Sequence, residues 1–274
     1  MKAHSLVARQ FINSDLLSAF SPDTFLSTTP FPWHHFHQFL RPEAFEQLYQ
    51  DFPSLELFEQ HSGIDRGNGQ RPHNRYYLAY GESIYRSGQK GQGIITHAEL
   101  PPIWQAFIEE LQTNSDYHAF VRSALGVSQF KIRYAWHVGF SGCEVSPHVD
   151  SSDKVGTHIL YFNTEQDWNQ SWGGEILVLG DRQTEVINPE YSDFGSITPV
   201  KITGNSSFFF RNKPHAWHGV QPLSCPEGSY RRLFNIIFEY PQARTILNSS
   251  VGKLARKLVP FQSIRSLARE WVLR

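Results

Sequence analysis

The strongest constraint on the fold is a succession of short β-type runs confined to the second half of the chain. Phe130–Val138, Thr157–Asn163, Glu175–Leu179, Ser206–Phe210 and Arg231–Tyr240 follow one another, separated by clusters of Gly, Pro, Asn and Asp. Short strands punctuated by turn signals predict a sandwich or barrel. The first half reads differently. Phe45, Leu48, Tyr49 and Phe52 fall at helical spacing, with Pro42 near the start and Pro53 at the end. Trp104, Phe107, Ile108 and Leu111 repeat that spacing, as do Tyr117, Phe120, Val121 and Ala124. Residues 60–100 between them are polar and rich in Gly, Arg and Tyr, too long for an ordinary connection. The expected architecture is a set of helices packed against a double-sheet β core.

Composition narrows the function classes. Hydrophobic residues make up 40% and charged residues 19%, as in an ordinary folded protein. The net charge of -1 gives no basic field of the kind that nucleic acid attracts, so no nucleic-acid partner is expected. The tail is the exception. From Arg244 to Arg274 seven Arg or Lys stand against one acidic residue, a local charge of +6 that leaves -7 for the rest. This tail reads as a basic helix, with Ile264, Leu267, Ala268 and Trp271 on one face, interrupted upstream by Pro260. It would pack on the domain, bind a partner or touch a membrane surface. Two cysteines, Cys143 and Cys225, make no disulfide scaffold and no Cys-x-x-Cys pair. The N-terminus lacks the apolar segment of a signal peptide, and no run approaches the ~18 apolar residues of a membrane span. The cytoplasm is the expected location.

His148-Val149-Asp150 is the first feature with chemical content. Residues two apart on a strand share a face, so an imidazole and a carboxylate can converge on one ion. Alone the pair decides little, since chance gives about half a His-x-Asp in a chain with this many His and Asp. A third donor lies in Pro214-His215-Ala216-Trp217-His218-Gly219-Val220, directly after the apolar Phe208-Phe209-Phe210. Two His and one carboxylate with open positions suit non-haem Fe(II) and O₂ chemistry.

Further segments carry a family resemblance. His148-Val149-Asp150 is followed by Thr157-His158-Ile159-Leu160-Tyr161-Phe162-Asn163 and by Trp172-Gly173-Gly174-Glu175-Ile176. Then come His218-Gly219-Val220-Gln221-Pro222 and Ser229-Tyr230-Arg231-Arg232. This order and spacing, over about residues 130–240, resembles the prolyl-hydroxylase-like branch of the Fe(II)/2-oxoglutarate-dependent oxygenases. A weaker similarity, from Phe31 to Pro53, is to the helical lead-in of such enzymes. The resemblance implies one oxygenase domain over 1–274, mainly β with flanking helices. Its parts would be helical support and substrate loops at about 1–125, a double-stranded β-helix (jelly-roll) core at about 126–242, and the basic tail at about 243–274.

The resemblance also implies roles. His148, Asp150 and His218 would hold iron, with His215 a rival for the third place. Arg231 and Tyr161 would hold the distal carboxylate of 2-oxoglutarate. Strand alternation favours Arg231 over Arg232, because Arg232, Phe234, Ile236 and Phe238 form the greasier face, suited to packing on helices. Asn163 and Glu175 match family positions and could equally support the turn or the site from behind, while Gly173 and Gly174 read as backbone geometry. The implied cofactors are Fe(II), 2-oxoglutarate and O₂, with ascorbate as a stimulant. The implied reaction converts 2-oxoglutarate and O₂ to succinate and CO₂ while hydroxylating a C–H bond of an amino acid, a peptide residue or a small metabolite. Related halogenases lack the ligand carboxylate to make room for halide, so Asp150 favours hydroxylation. The 60–100 region, with Arg66, Arg71, Arg75, Tyr76 and Tyr77, is the expected substrate loop. Two other classes stay open: a cupin-type metalloenzyme using another divalent metal, and a non-catalytic barrel sensor.

Overall fold

The computed structural model describes residues 10–63, 71–83 and 93–241, so the basic tail and Arg66 lie outside the described residues. In chain order the first half forms α1 (Ser14–Ala19), α2 (Pro22–Leu26), β1 (Trp33–His37), α3 (Pro42–Gln50), β2 (Glu59–His61), β3 (Arg75–Tyr80), β4 (Ile94–Ile95), α4 (Pro102–Thr113) and α5 (Ser115–Leu125). The helix ends follow local chemistry. Pro42 and Pro102 open α3 and α4, where the missing N–H costs nothing and φ is preset. Asn114 caps α5 by accepting from the Tyr117 N–H at 2.9 Å, and Gly126 ends it in the left-handed region at φ 66°.

The second half is β throughout: β5 (Lys131–Gly139), β6 (Val145–His148), β7 (Lys154–Tyr161), β8 (Ile176–Arg182), β9 (Phe194–Val200), β10 (Ser206–Arg211), β11 (His218–Val220) and β12 (Arg231–Glu239). These eight strands divide between two sheets. β10-β7-β12-β5 run side by side in the larger sheet and β6-β11-β8-β9 in the smaller, all antiparallel. The chain thus crosses between sheets at most of its turns, in the manner of a jelly roll. β1 extends the larger sheet beside β10, while β3 and β2 extend it beyond β5.

Alternation along the strands sorts the apolar residues into two cores. Phe209, Phe234, Ile236 and Phe238 point away from the smaller sheet, into a core with Trp104, Phe107 and Ile108 of α4 and Tyr117, Phe120 and Val121 of α5. Tyr161, Phe208, Phe210 and Leu233 point between the sheets, against Ile176, Val178, Val200 and Val220. The helices thus brace one face of the larger sheet, and its other face is left to line a sandwich interior.

The mainly β architecture and the three long helices stand where the sequence puts them. The first half, however, is mixed rather than helical, because β1 to β4 lie within it. β6, β9 and β11 also escape sequence reading, since β6 and β11 are very short and β9 buries only its end residues Phe194 and Val200, without period-two alternation. Among the described residues no helix is long and apolar enough to cross a membrane.

Candidate metal centre and cosubstrate pocket

His148 and His218 are cross-strand partners on β6 and β11, and β11 is pinned on its other side by Val178 of β8. Directly opposed residues share a face, and the two rings lie with centroids 4.3 Å apart. Each ring is oriented by its own chain. His148 Nδ1 lies 3.0 Å from the Ser146 carbonyl and His218 Nδ1 3.0 Å from the Ala216 carbonyl. A carbonyl only accepts, so both Nδ1 atoms carry a proton, which leaves Nε2 as the atom of each ring that a metal can use.

Asp150 lies two residues past His148, just beyond the end of β6 rather than within it. A turn places it there. Asn212, directly after β10, donates from Nδ2 to the carbonyls of Ser151 at 2.9 Å and Lys154 at 3.0 Å. Lys154 Nζ in turn donates to Asp150 Oδ1 at 2.8 Å, and Thr157 Oγ1 donates to Oδ2 at 3.4 Å. Burial pushes the Asp150 carboxyl up, but the Lys154 ammonium and the two imidazoles outweigh it and hold the group well below the usual carboxylate range. One donor atom from each of His148, Asp150 and His218 lies within 4.8 Å of the others, a group that no other described residues match. Two imidazoles and a carboxylate fit a divalent iron that keeps positions open. His215 is exposed and takes no part.

Arg231 opens β12 from the larger sheet and points into the sandwich, 8% exposed. Its Nε donates to the Gly174 carbonyl at 2.7 Å, and its guanidinium carbon stands 5.2 Å from the centre of the Tyr161 ring. Gly174 is required twice over. Its φ is +96°, and a Cβ there would come within 3.1 Å of Arg231 Cδ and of Ile202 and 3.2 Å of Trp168. Among the described residues no carboxylate lies within ion-pairing distance of Arg231, and the buried Tyr161 hydroxyl finds no hydrogen-bond partner. Burial pushes the Tyr161 phenol up to about 12, with Arg231 partly offsetting it. A buried cation beside an unsatisfied neutral hydroxyl is a cradle for an anion.

Arg232 faces the helices. It pairs with Asp167 and lies 4.6 Å from the centre of the Tyr49 ring. Asn163 is structural: it accepts from the Arg232 N–H at 2.7 Å and donates to the Tyr230 carbonyl at 2.9 Å, fixing where β12 begins. Within the expected substrate loop, Arg71 is tied to Glu144 at 2.6 Å and to Glu190, and Tyr76 packs on Phe140. Arg75, Tyr76 and Tyr77 lie on β3 rather than in a loop. Sequence reading missed Lys154, Thr157 and Asn212. Lys154 could have been noticed four residues after Asp150, whereas Asn212 is separated from it by 62 positions.

Residues 132–239 match the family model described as the 2OG-Fe(II) oxygenase superfamily. The matched segment is the β core and spans less than half of the chain. The match and the three-donor group inside it support a 2-oxoglutarate-dependent dioxygenase with Fe(II), 2-oxoglutarate and O₂ as cofactors. Among curated proteins no sequence matches it. Among solved structures the fold is similar to a Pseudomonas putida prolyl-4-hydroxylase, at 13% identity and TM-score 0.52, covering 81% of this chain and 98% of that one. It is also similar to a Trichoplax adhaerens prolyl hydroxylase solved with a hypoxia inducible factor peptide, at 15% identity and TM-score 0.51, covering 86% and 94%. The carbocyclase SnoK of nogalamycin biosynthesis is a third, at 10% identity and TM-score 0.51, covering 85% and 92%. The jelly-roll part of the expected fold is thus shared with such oxygenases.

Proposed function

We propose that His148, Asp150 and His218 hold the iron of this dioxygenase and that Arg231 and Tyr161 hold the distal carboxylate of 2-oxoglutarate. The observation that carries the assignment is the coincidence of two separate sites on one sandwich interior: a three-donor group that fits iron, and a buried guanidinium that has no carboxylate partner among the described residues and fits the cosubstrate. When bound, iron with 2-oxoglutarate and O₂ supplies the oxidant for a C–H bond, with succinate and CO₂ as coproducts. The chain's own part is positioning. Lys154 and Thr157 keep the Asp150 carboxylate ionised and aimed, and the backbone carbonyls of Ser146 and Ala216 fix the imidazoles. Trp168, Ile176 and Ile202 wall the Arg231 pocket with apolar surface, which strengthens the pairing of a guanidinium with a carboxylate.

The substrate is an amino acid, a peptide residue or a small metabolite, and the product a hydroxylated one. The described residues of both halves serve a single oxygenase domain, in which the helices of the first half support the larger sheet. The free thiols of Cys143 and Cys225 support action in the reducing cytoplasm. Adding Fe(II) and 2-oxoglutarate without O₂ tests the assignment. A weak metal-to-ligand charge-transfer band is expected, lost in Asp150→Ala and displaced in its 2-oxoglutarate dependence in Arg231→Ala. No band in the wild type, or the same band in both variants, overturns it.

A further inference from the structure

Beyond the eight strands of the jelly roll, β3 and β2 continue the inner face of the larger sheet as an added wall. The register sets Tyr77 opposite His137, which is opposite Leu233, which is opposite Tyr161, so all four share the inner face. Arg75, two residues before Tyr77, shares it as well. The pairing of Tyr76 with Val138 brings Arg75 level with Gly139, and Gly139 pairs with Arg231. Two arginines therefore flank a residue without a side chain, about 10 Å apart across three strands. The distal carboxylate of 2-oxoglutarate needs only one of them.

The side chains around Arg75 form a connected polar lining. Its guanidinium carbon is 5.6 Å from the centre of the Tyr77 ring, and Nη1 is 3.2 Å from His73 Nδ1. The His73 ring in turn stands 6.0 Å from that of His148, so Arg75 is two contacts from the metal centre. On the other side, the Tyr77 ring lies 5.3 Å from His137, and Asn235 Nδ2 lies 3.3 Å from His137 Nδ1. Asn235 is 8% exposed, and its Oδ1 has no partner among the described residues. His137 is half-buried, and desolvation together with the charges of Arg75, Lys154 and Arg231 holds its pKa well below the usual imidazole range. Among the described residues the lining thus offers the Arg75 guanidinium, the imidazoles of His61, His73 and His137 and the Asn235 amide, with the Glu59 carboxylate opposite Tyr77 and 3.1 Å from His61.

We propose that Arg75, with His137 and Asn235, binds the prime substrate, and that this substrate presents a carboxylate near the C–H bond to be oxidised. A guanidinium fork matches a carboxylate in two parallel hydrogen bonds. This inference rests on the oxygenase reading of the adjacent iron site.

The test uses the full chain with Fe(II) and 2-oxoglutarate under anaerobic conditions. The probes are free amino acids and short peptides with a free C-terminus, each paired with its carboxamide, and binding is read as a shift of the charge-transfer band. At least one acid should bind about tenfold more tightly than its amide. Free amino acids against peptides show which kind of carboxylate fits. Arg75→Gln should abolish the preference and Arg75→Lys should restore part of it, both with the band for 2-oxoglutarate itself retained. Asn235→Ala, a milder change should Arg75→Gln fail to fold, should weaken the acid about fivefold. The inference is overturned if no acid shifts the band, if amides bind as well as acids, or if Arg75→Gln weakens 2-oxoglutarate as much as the acid. A wild type with no band at all overturns the iron site reading together with it.

Discussion

His148 and His218 face each other across a single strand pair, and each is held by the carbonyl of the residue two positions before it. The same local device on two antiparallel strands commits the Nδ1 of both rings to their own backbone. It needs nothing from distant parts of the chain, and it explains why His218 rather than His215 reaches Asp150.

His218→Ala should lower Fe(II) affinity by about 100-fold or more, since it removes a ligand where loss of an outer partner alone costs 10–100-fold. His215→Ala should leave it within about twofold. Anaerobic calorimetric titration of both variants checks this, and equal losses would return the third place to His215.

Gly174→Ala should raise the KM for 2-oxoglutarate more than it alters kcat, because the new methyl displaces Arg231. The positive φ adds a stability cost of about 1–3 kcal/mol. Steady-state kinetics and urea unfolding separate the two effects.

Arg231→Lys and Arg232→Lys should part company. The first removes a buried fork and should raise the KM for 2-oxoglutarate at least about tenfold. The second weakens a partly exposed pair with Asp167 and the contact with Tyr49, for about 1 kcal/mol of stability and little change in KM. Matching effects on KM would show that the strand faces had been assigned wrongly.

His158 should make stability depend on pH. It is buried between the Tyr117 hydroxyl at 3.0 Å and Ser207 Oγ at 2.9 Å, and burial lowers its pKa to about 3. Unfolded, it would titrate near 6.5. The unfolded chain therefore binds the extra proton first as pH falls. The contribution is complete above about 6.5 and is lost progressively toward 3, at about 1.4 kcal/mol per pH unit. Urea unfolding between pH 7 and 4.5 should show a shallower decline in His158→Gln than in wild type. Parallel declines would count against this.

The parts of the site that the sequence made legible are those in which local pattern and structure coincide. Phe234, Ile236 and Phe238 alternate with Leu233 and Asn235, so the inward direction of Arg231 could be read from period two alone. What could not be read depends on register between distant strands. Asn212 steadies the turn after Asp150 only because β10 pairs with β7, and Arg75 meets the inner face only because β3 adds to β5. Residues 60–100 looked like a loop because β2 and β4 are two or three residues long and β3, Arg-Tyr-Tyr-Leu-Ala-Tyr, is apolar on both faces.

The added wall of β2 and β3 has an evolutionary corollary. The iron donors and Arg231 stand on strands whose mutual pairing closes the jelly roll, so any exchange there disturbs the scaffold as well as the chemistry. Arg75 and Tyr77 stand on an appendage joined to the roll along one strand, β5. Drift in that appendage can retune which molecule is oxidised while the oxidising machinery is inherited intact, and a designer seeking new selectivity would begin with β3.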